Sequence, residues 1–239
     1  CGRYRDEVFK VLGDGRRWGV ELVEFEISGA DRDFSRLSTL FRPLLLIQAD
    51  VARSPAVDAL LNLAEERPEG RLDARMEGQD AGITLFRKAS GEASVDIQGG
   101  CDRLEDFAGY HGANLDILSG RFPGLLLEGR SLFEDSVDEM IVARGSRALP
   151  ANLTQGRALI GAYSRLARDA RLNGRVVLGN STMVEAGTHV SESLVLPGTY
   201  VGPDLEMHRV IAAGRCLIQV DTGAVMSVND PFLLANLDT

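Results

Sequence analysis

The chain has 239 residues, 44% of them hydrophobic, so it can bury an ordinary core in one large domain or two modest ones. Its 26 basic and 35 acidic residues give a net charge of -9, which argues against a general nucleic-acid or anionic-membrane binder, because phosphate neutralisation requires a concentrated basic face. The three cysteines (Cys1, Cys101, Cys216) lack disulfide-framework or zinc-site spacing, and no apolar run is long enough for a membrane span. We therefore expect a cytoplasmic protein with a small-molecule or protein partner.

The first elements alternate between helical and extended patterns. Residues 4–12 have apolar side chains at helical spacing, residues 13–15 (Gly-Asp-Gly) predict a turn, and residues 18–25 alternate as a strand does. Because the chain enters this pattern at once from Cys1, we expect further sequence upstream.

The next strand and helix indicate a parallel sheet. Residues 43–47 predict a short buried strand that leads to Asp50, and residues 55–63 predict a helix with Ser54 as its N-cap and Pro55 in its first turn. A strand, a loop and a helix in that order are typical of α/β folds, in which side chains at the carboxyl ends of the strands form the site.

An aliphatic residue recurs at every sixth position of the C-terminal half. The main series is Ile160, Leu166, Leu172, Leu178, Val184, Val190 and Leu196, and a parallel series runs Val195, Val201, Met207. A period of six fits neither an α-helix nor a simple strand, and the residues between are small or turn-forming. The pattern resembles the hexapeptide-repeat family, which implies a short left-handed parallel β-helix of about three coils over residues 160–207, with the aliphatic side chains inside.

Segments of the first half resemble the sugar-1-phosphate nucleotidyltransferase family. Residues 11–20 (VLGDGRRWGV) are similar to its helix-turn-strand segment, and residues 45–50 (LLIQAD) to its strand that ends in a magnesium-binding aspartate. Residues 95–99 and 106–120 resemble its closing element, and hexapeptide coils are a frequent appendage of this family. The resemblance implies an α/β fold: an abbreviated nucleotidyltransferase-like, Rossmann-like domain followed by a left-handed parallel β-helix.

The same resemblance implies a metal site. Asp50 and Asp96 would hold Mg²⁺ beside a nucleotide-sugar or sugar-phosphate ligand, since this cation takes oxygen ligands supplemented by substrate phosphates. The alternative is that Asp50 is only a strand-end carboxylate that caps a loop, and Asp96 likewise. The family's glycine-rich, cationic phosphate-binding loop is absent from the sequence, and residues 35–39 (SRLST) stand where its G-T-A turn is expected.

We divide the chain into a nucleotidyltransferase-like domain (residues 1–123), a connector (124–156), a β-helix (157–223) and a C-terminal cap or linker (224–239). Three functions remain open. The first is a non-catalytic scaffold or regulatory module of nucleotide-sugar or surface-polysaccharide biosynthesis. The second is an active nucleotidyltransferase whose N-terminal segment is missing from this chain. The third is a hexapeptide acyltransferase.

His189 is the candidate general base of the acyltransferase hypothesis, and the alternative is an exposed polar residue at a coil corner. A three-histidine metal site would need His111 from the other half besides His189 and His208, which disfavours it. The coils also predict a homo-oligomer, more specifically a trimer, formed through the β-helix.

A run of arginines falls in the first predicted coils. We interpret it as a solvated or subunit-facing surface, with a phosphate site as the alternative. Its members, which lie beside Asp169, are Arg165, Arg168, Arg171 and Arg175.

Overall fold

The fold is taken from a computed structural model that describes residues 43–133 and 137–237. These residues belong to one compact unit, Pro43–Thr239. They contain nineteen strands and two α-helices, so the described part is mostly β-structure. The elements predicted at residues 4–25, and the segment 35–39, lie outside the described residues.

The first part of the unit is a four-stranded sheet with the order β1-β4-β3-β5. Its strands are β1 (Leu44–Ile47), β3 (Arg71–Met76), β4 (Gln79–Phe86) and β5 (Glu92–Asp96). Two short strands, β2 (Val51–Arg53) and β6 (Cys101–Arg103), pair antiparallel beside it. Helix α1 (Val57–Glu65) follows β2 and buries Leu60 and Ala64. The strand predicted at residues 43–47 corresponds to β1.

The prediction of a Rossmann-like α/β fold is wrong. β4 runs antiparallel to both β1 and β3, and only β3 and β5 pair in parallel. The cause is the two-residue turn Glu77-Gly78, in which both residues have positive φ (50° and 77°). Such a turn returns the chain directly as a hairpin, whereas a doubly wound parallel sheet requires a long crossover connection at this point.

The predicted helix start is also wrong in detail. Ala56 occupies the N-cap position of α1, without a side-chain cap. Ser54 instead lies buried between strands, where its hydroxyl oxygen accepts the Gly100 N–H at 3.1 Å and its own N–H donates to the Gly100 carbonyl at 2.9 Å. The local Ser-Pro signal was therefore overridden by a tertiary hydrogen bond.

Helix α2 (Phe107–Leu118) connects the sheet to the remainder of the unit. Asp106 caps it, since its carboxylate accepts the Gly109 N–H at 2.7 Å. After α2 the chain forms β7 (Arg130–Ser131), β8 (Glu139–Val142) and a 3₁₀ turn (Pro150–Asn152).

The repeat segment forms a three-sided stack of parallel strands, which we call the coil. Two of the three sides are formed by long strands that bend at the corner between these sides. The long strands are β9 (Leu153–Ile160), β11 (Arg171–Leu178) and β13 (His189–Val195). Two shorter strands, β15 (Glu206–His208) and β16 (Val210–Ala213), continue them in the next coil. The third side consists of β10 (Arg165–Leu166), β12 (Met183–Val184) and β14 (Thr199–Val201). Strand pairing thus gives this segment the stacked, parallel arrangement that its six-residue period predicts.

The aliphatic series points into the coil, with one shift of phase. Buried residues of the main series are Ile160, Leu172, Leu178, Val184 and Val190, and Leu166 is partly buried against them. Beyond Val190 the interior is filled by Val195, Val201 and Met207, whereas Leu196 packs in a different cluster outside the coil. The rung from Val190 to Val195 is therefore one residue shorter than the others.

The end of the coil is covered by antiparallel strands. β17 (Cys216–Gln219) pairs with β16, and β18 (Val225–Ser227) pairs with β17. β19 (Leu234–Asn236) folds back onto β14 and buries Leu234. None of the helices in the described ranges is long and apolar enough to cross a membrane.

We expect Leu178→Ala to lower the free energy of unfolding by about 2–5 kcal/mol, because the truncation leaves a cavity among fully buried neighbours. Urea denaturation measures this change. Leu126→Ala is the matched control, since the Leu126 side chain is 91% exposed and its loss removes no packing. Equal unfolding midpoints for the two variants would show that the repeat residues do not form the coil interior.

Candidate functional site

The structure does not bring the two predicted metal ligands together. Asp96 ends β5 and Asp50 follows β1, and these strands are the opposite edges of the sheet. Three inter-strand steps, or roughly 14 Å, separate β1 from β5, whereas a magnesium ion holds its ligand oxygens at about 2 Å. Both aspartates are exposed, and the described residues contain no group of three or more His, Cys, Asp or Glu side chains that could hold a metal. The pair therefore does not fit one Mg²⁺ site.

A groove of about 440 Å³ lies on one side of the coil. We call it the coil-face groove. Its lining residues are Thr154, Arg171, Asn173, His189, Val190, Ser191, Glu206, Met207 and His208. The outward-facing members form two columns, because strand pairing aligns successive coils. Arg171, His189 and Glu206 form one column, and Asn173, Ser191 and His208 form the other.

The second column contains a hydroxyl and an imidazole in contact. Ser191 Oγ lies 2.9 Å from His208 Nδ1, and both groups are accessible from the groove. In the tautomer that leaves Nδ1 unprotonated, the imidazole accepts a hydrogen bond from the Ser191 hydroxyl, which is the contact a general base makes with a hydroxyl group. His189, two residues before Ser191, is exposed, and Glu206 lies beside it on the neighbouring strand. The Arg171 Nη1 donates to the carbonyls of Arg168 and Ala170.

His111 does not join these histidines. Its ring is buried in α2, and Nε2 lies 2.7 Å from the Glu192 carbonyl oxygen. Glu192 and Arg209, both at positive φ, form the corner that separates this side of the coil from the groove. The coil-face groove therefore contains two histidines, and a three-histidine metal site is not assembled.

His111 belongs to a second region, the α2 junction, where α2 packs on an outward side of the coil. Leu115 of α2 is fully buried against Leu194 and Ile211, with Val177 and Leu196 at the margin. This apolar contact explains why some outward-facing coil positions are aliphatic.

Charged side chains surround the apolar contact of the α2 junction. Asp116 accepts hydrogen bonds from Arg121 at 2.8 Å and from Arg175 of the coil at 3.1 Å. Arg175 also pairs with Glu192 at 3.0 Å, and Arg121 pairs with Asp102 at 2.8 Å. Carboxylate hydrogen bonds hold the pKa of Arg121 above its usual range. The network ties α2, strand β6 and the coil to one another.

Gly174 makes room for this network. A Cβ atom at Gly174 would stand 2.3 Å from Glu192 Oε1, and the residue has a φ of 69°. Without a side chain there, the Glu192 carboxylate reaches the Arg175 N–H at 2.7 Å. A side chain at this position would displace the Glu192 carboxylate, and the positive φ also favours glycine.

Burial lowers the pKa of His111, opposed by the hydrogen bond to the Glu192 carbonyl. Arg209 and Arg175 lower it further, and the Glu192 carboxylate raises it. The neutral imidazole is consequently the form that the folded α2 junction accommodates.

Sequence patterns indicated His189 but neither the Ser191–His208 contact nor the α2 junction. A scan against models of known protein families gives no match, and a search of curated protein sequences finds no significant match.

We expect acid to weaken the fold through His111. The pKa of His111 in the folded chain lies below its unfolded value of about 6.5. Its contribution to the free energy of unfolding is therefore complete above about pH 6.5 and is lost as the pH falls from about 6.5 through the lower folded-state pKa. His111→Gln keeps an N–H donor without a titrating ring, so its unfolding midpoint in urea should fall less between about pH 8 and pH 5.

His189→Gln is the control for this experiment, because it removes an exposed imidazole. Its pH profile should follow that of the unmodified chain. If His111→Gln also followed it, protonation of His111 would not govern the acid sensitivity.

Proposed function

We propose that the protein is a nucleotidyltransferase-like module of nucleotide-sugar or surface-polysaccharide biosynthesis and that it serves as a non-catalytic scaffold or regulatory unit. The α2 junction is the observation that carries the proposal. The segment that resembles the closing element of the family, residues 106–120, includes α2, and this helix is fixed to the coil by Leu115 and Asp116. A helix held in this way is suited to joining two structural parts rigidly.

The non-catalytic role is supported by the separation of Asp50 and Asp96. Nucleotidyl transfer depends on a metal and on cationic groups that stabilise charge on the transferred phosphoryl group. Two carboxylates on opposite edges of a sheet do not share a metal ion, and no step of such a reaction can be assigned to them. We further propose a cytoplasmic location and a nucleotide-sugar or sugar-phosphate ligand.

We expect the 239-residue chain to release no pyrophosphate above background when it is incubated with nucleoside triphosphates, sugar 1-phosphates and Mg²⁺. An enzyme-coupled pyrophosphate assay measures this directly. The informative variants are Asp50→Asn and, as a matched control, Asp58→Asn, which removes an exposed carboxylate of α1. Pyrophosphate release that Asp50→Asn abolishes and Asp58→Asn preserves would contradict the non-catalytic role.

A second candidate function is acyl transfer to a hydroxyl group, in the manner of hexapeptide acyltransferases. The contact between Ser191 Oγ and His208 Nδ1 favours it, because it places a groove imidazole within hydrogen-bond distance of a hydroxyl group. His189 would be the corresponding base for an acceptor bound in the first column of the groove. In this hypothesis the groove is completed by a neighbouring subunit.

Both candidates include a homo-oligomer, and we propose a trimer formed through the coil. A flat-sided coil gains buried area by packing its sides against other copies, and a rotational trimer closes that arrangement. Multi-angle light scattering at micromolar concentration should give about three times the chain mass of 25.9 kDa. A monomer mass would contradict the trimer and the intersubunit acyltransferase. It would not contradict the scaffold role, which the pyrophosphate assay tests separately.

A further inference from the structure

The start of the coil concentrates positive charge in a chain that is acidic as a whole. Residues 143–171 contain six arginines and one acidic residue, Asp169, although the net charge of the protein is -9. Arg157 faces the α2 side, where it pairs with Glu139, and Arg171 bonds to backbone carbonyls. The other four, Arg144, Arg147, Arg165 and Arg168, are exposed, and we call them the arginine edge.

Backbone hydrogen bonds impose the spacing of the arginine edge. Arg147 and Arg165 form a parallel β-bridge, so two like charges are attached to adjacent strands about 4.8 Å apart. The Leu166 N–H donates to the Arg147 carbonyl at 3.0 Å and fixes this register. Neighbouring like charges destabilise a sheet. An anion that lies against the two guanidinium groups would relieve this repulsion.

The described part of the chain provides no such anion. None of the four arginines of the edge forms an ion pair with any residue in the described ranges, in contrast to Arg121 and Arg175. Among the described residues, the positive charge of the arginine edge is therefore left open to an external anion.

Two exposed apolar side chains lie in the same stretch of the chain as the arginine edge. Tyr163 is 57% exposed and Leu149 is 43% exposed. Tyr163 is adjacent to the edge, since its N–H donates to the Arg144 carbonyl at 3.1 Å and the Arg144 guanidinium lies 5.6 Å from its ring centroid. Guanidinium groups mixed with an exposed tyrosine and leucine match the boundary between lipid headgroups and acyl chains.

We propose that the arginine edge binds the anionic phosphate surface of a lipid membrane. Arg147 and Arg165 lie on the third side of the coil, Arg144 and Arg168 lie in turns that flank it, and none of the four lines the coil-face groove, so they suit an extended anionic surface better than an enclosed ligand. A nucleic acid would offer no apolar partner to the Leu149 side chain. The Arg144 guanidinium already lies over the Tyr163 ring, on which a base would have to stack. The negative net charge shows that the protein is not basic overall. It does not argue against a local basic surface that binds a membrane.

Cosedimentation with vesicles tests the proposal. The 239-residue chain should bind vesicles of equimolar phosphatidylcholine and phosphatidylglycerol at low salt, and binding should weaken at high salt and be absent with phosphatidylcholine alone. Arg147→Gln/Arg165→Gln should lower partitioning about 30-fold, from the usual contribution of a basic residue near an anionic surface. Tyr163→Ser should lower it by a smaller factor.

The matched control is Arg67→Gln/Arg75→Gln, which removes the same charge from two exposed arginines near the sheet and should leave partitioning nearly unchanged. Equal losses in the two double variants would overturn the proposal, since binding would then reflect net charge alone. It would also be overturned if mixed vesicles failed to bind at low salt. Calorimetry with inorganic diphosphate tests for a free phosphate ligand. If the chain binds diphosphate saturably but does not bind vesicles, and only Arg147→Gln/Arg165→Gln loses the diphosphate, the edge binds a free phosphate ligand and not a membrane.

Discussion

The bridge that Asp116 forms between Arg121 and Arg175 is the constraint around which the described unit is organised. It connects a helix that follows the sheet to a coil that begins much later in the chain. Both Asp116 and Arg175 remain partly exposed, at 29% and 39%, so the pair contributes modestly to stability. The buried contact of Leu115 with the coil supplies the apolar stabilisation, and the ion pairs fix the orientation of α2.

The coil was predictable because its burial pattern is local. Each rung places an aliphatic side chain inside at a fixed interval, so the period alone identified residues such as Leu172 and Leu178 as interior. The mixed sheet was not predictable in the same way. Its topology depends on the two-residue turn Glu77-Gly78, which joins β3 and β4 as a hairpin, and on the long-range pairing of β1 with β4. None of these strands carries a repeat. A strand-loop-helix signal at residues 43–63 cannot reveal that a later strand returns antiparallel between its neighbours.

The candidate site illustrates the same limit at the scale of one residue. A regular period of eighteen residues per coil would place Arg209 beside Ser191 and Met207 beside His189. The shortened rung after Val190 moves the register by one, and the observed neighbours are His208 and Glu206. The Ser191–His208 contact is therefore created by an irregularity of the repeat, which explains why the exposed His189 was recognisable from sequence and its polar surroundings were not.

The arginines of this chain differ in the groups that surround them. Arg121 and Arg175 are surrounded by carboxylates, and their charge is used within the fold. Arg147 and Arg165 are held beside each other by the backbone, with no carboxylate of the described residues against them. Because a parallel coil repeats its side-chain directions at each turn, two residues one coil apart can present the same charge side by side even when the whole protein carries the opposite sign. The potential at this surface is set by these nearest charges, since salt screens the more distant acidic residues within about 10 Å.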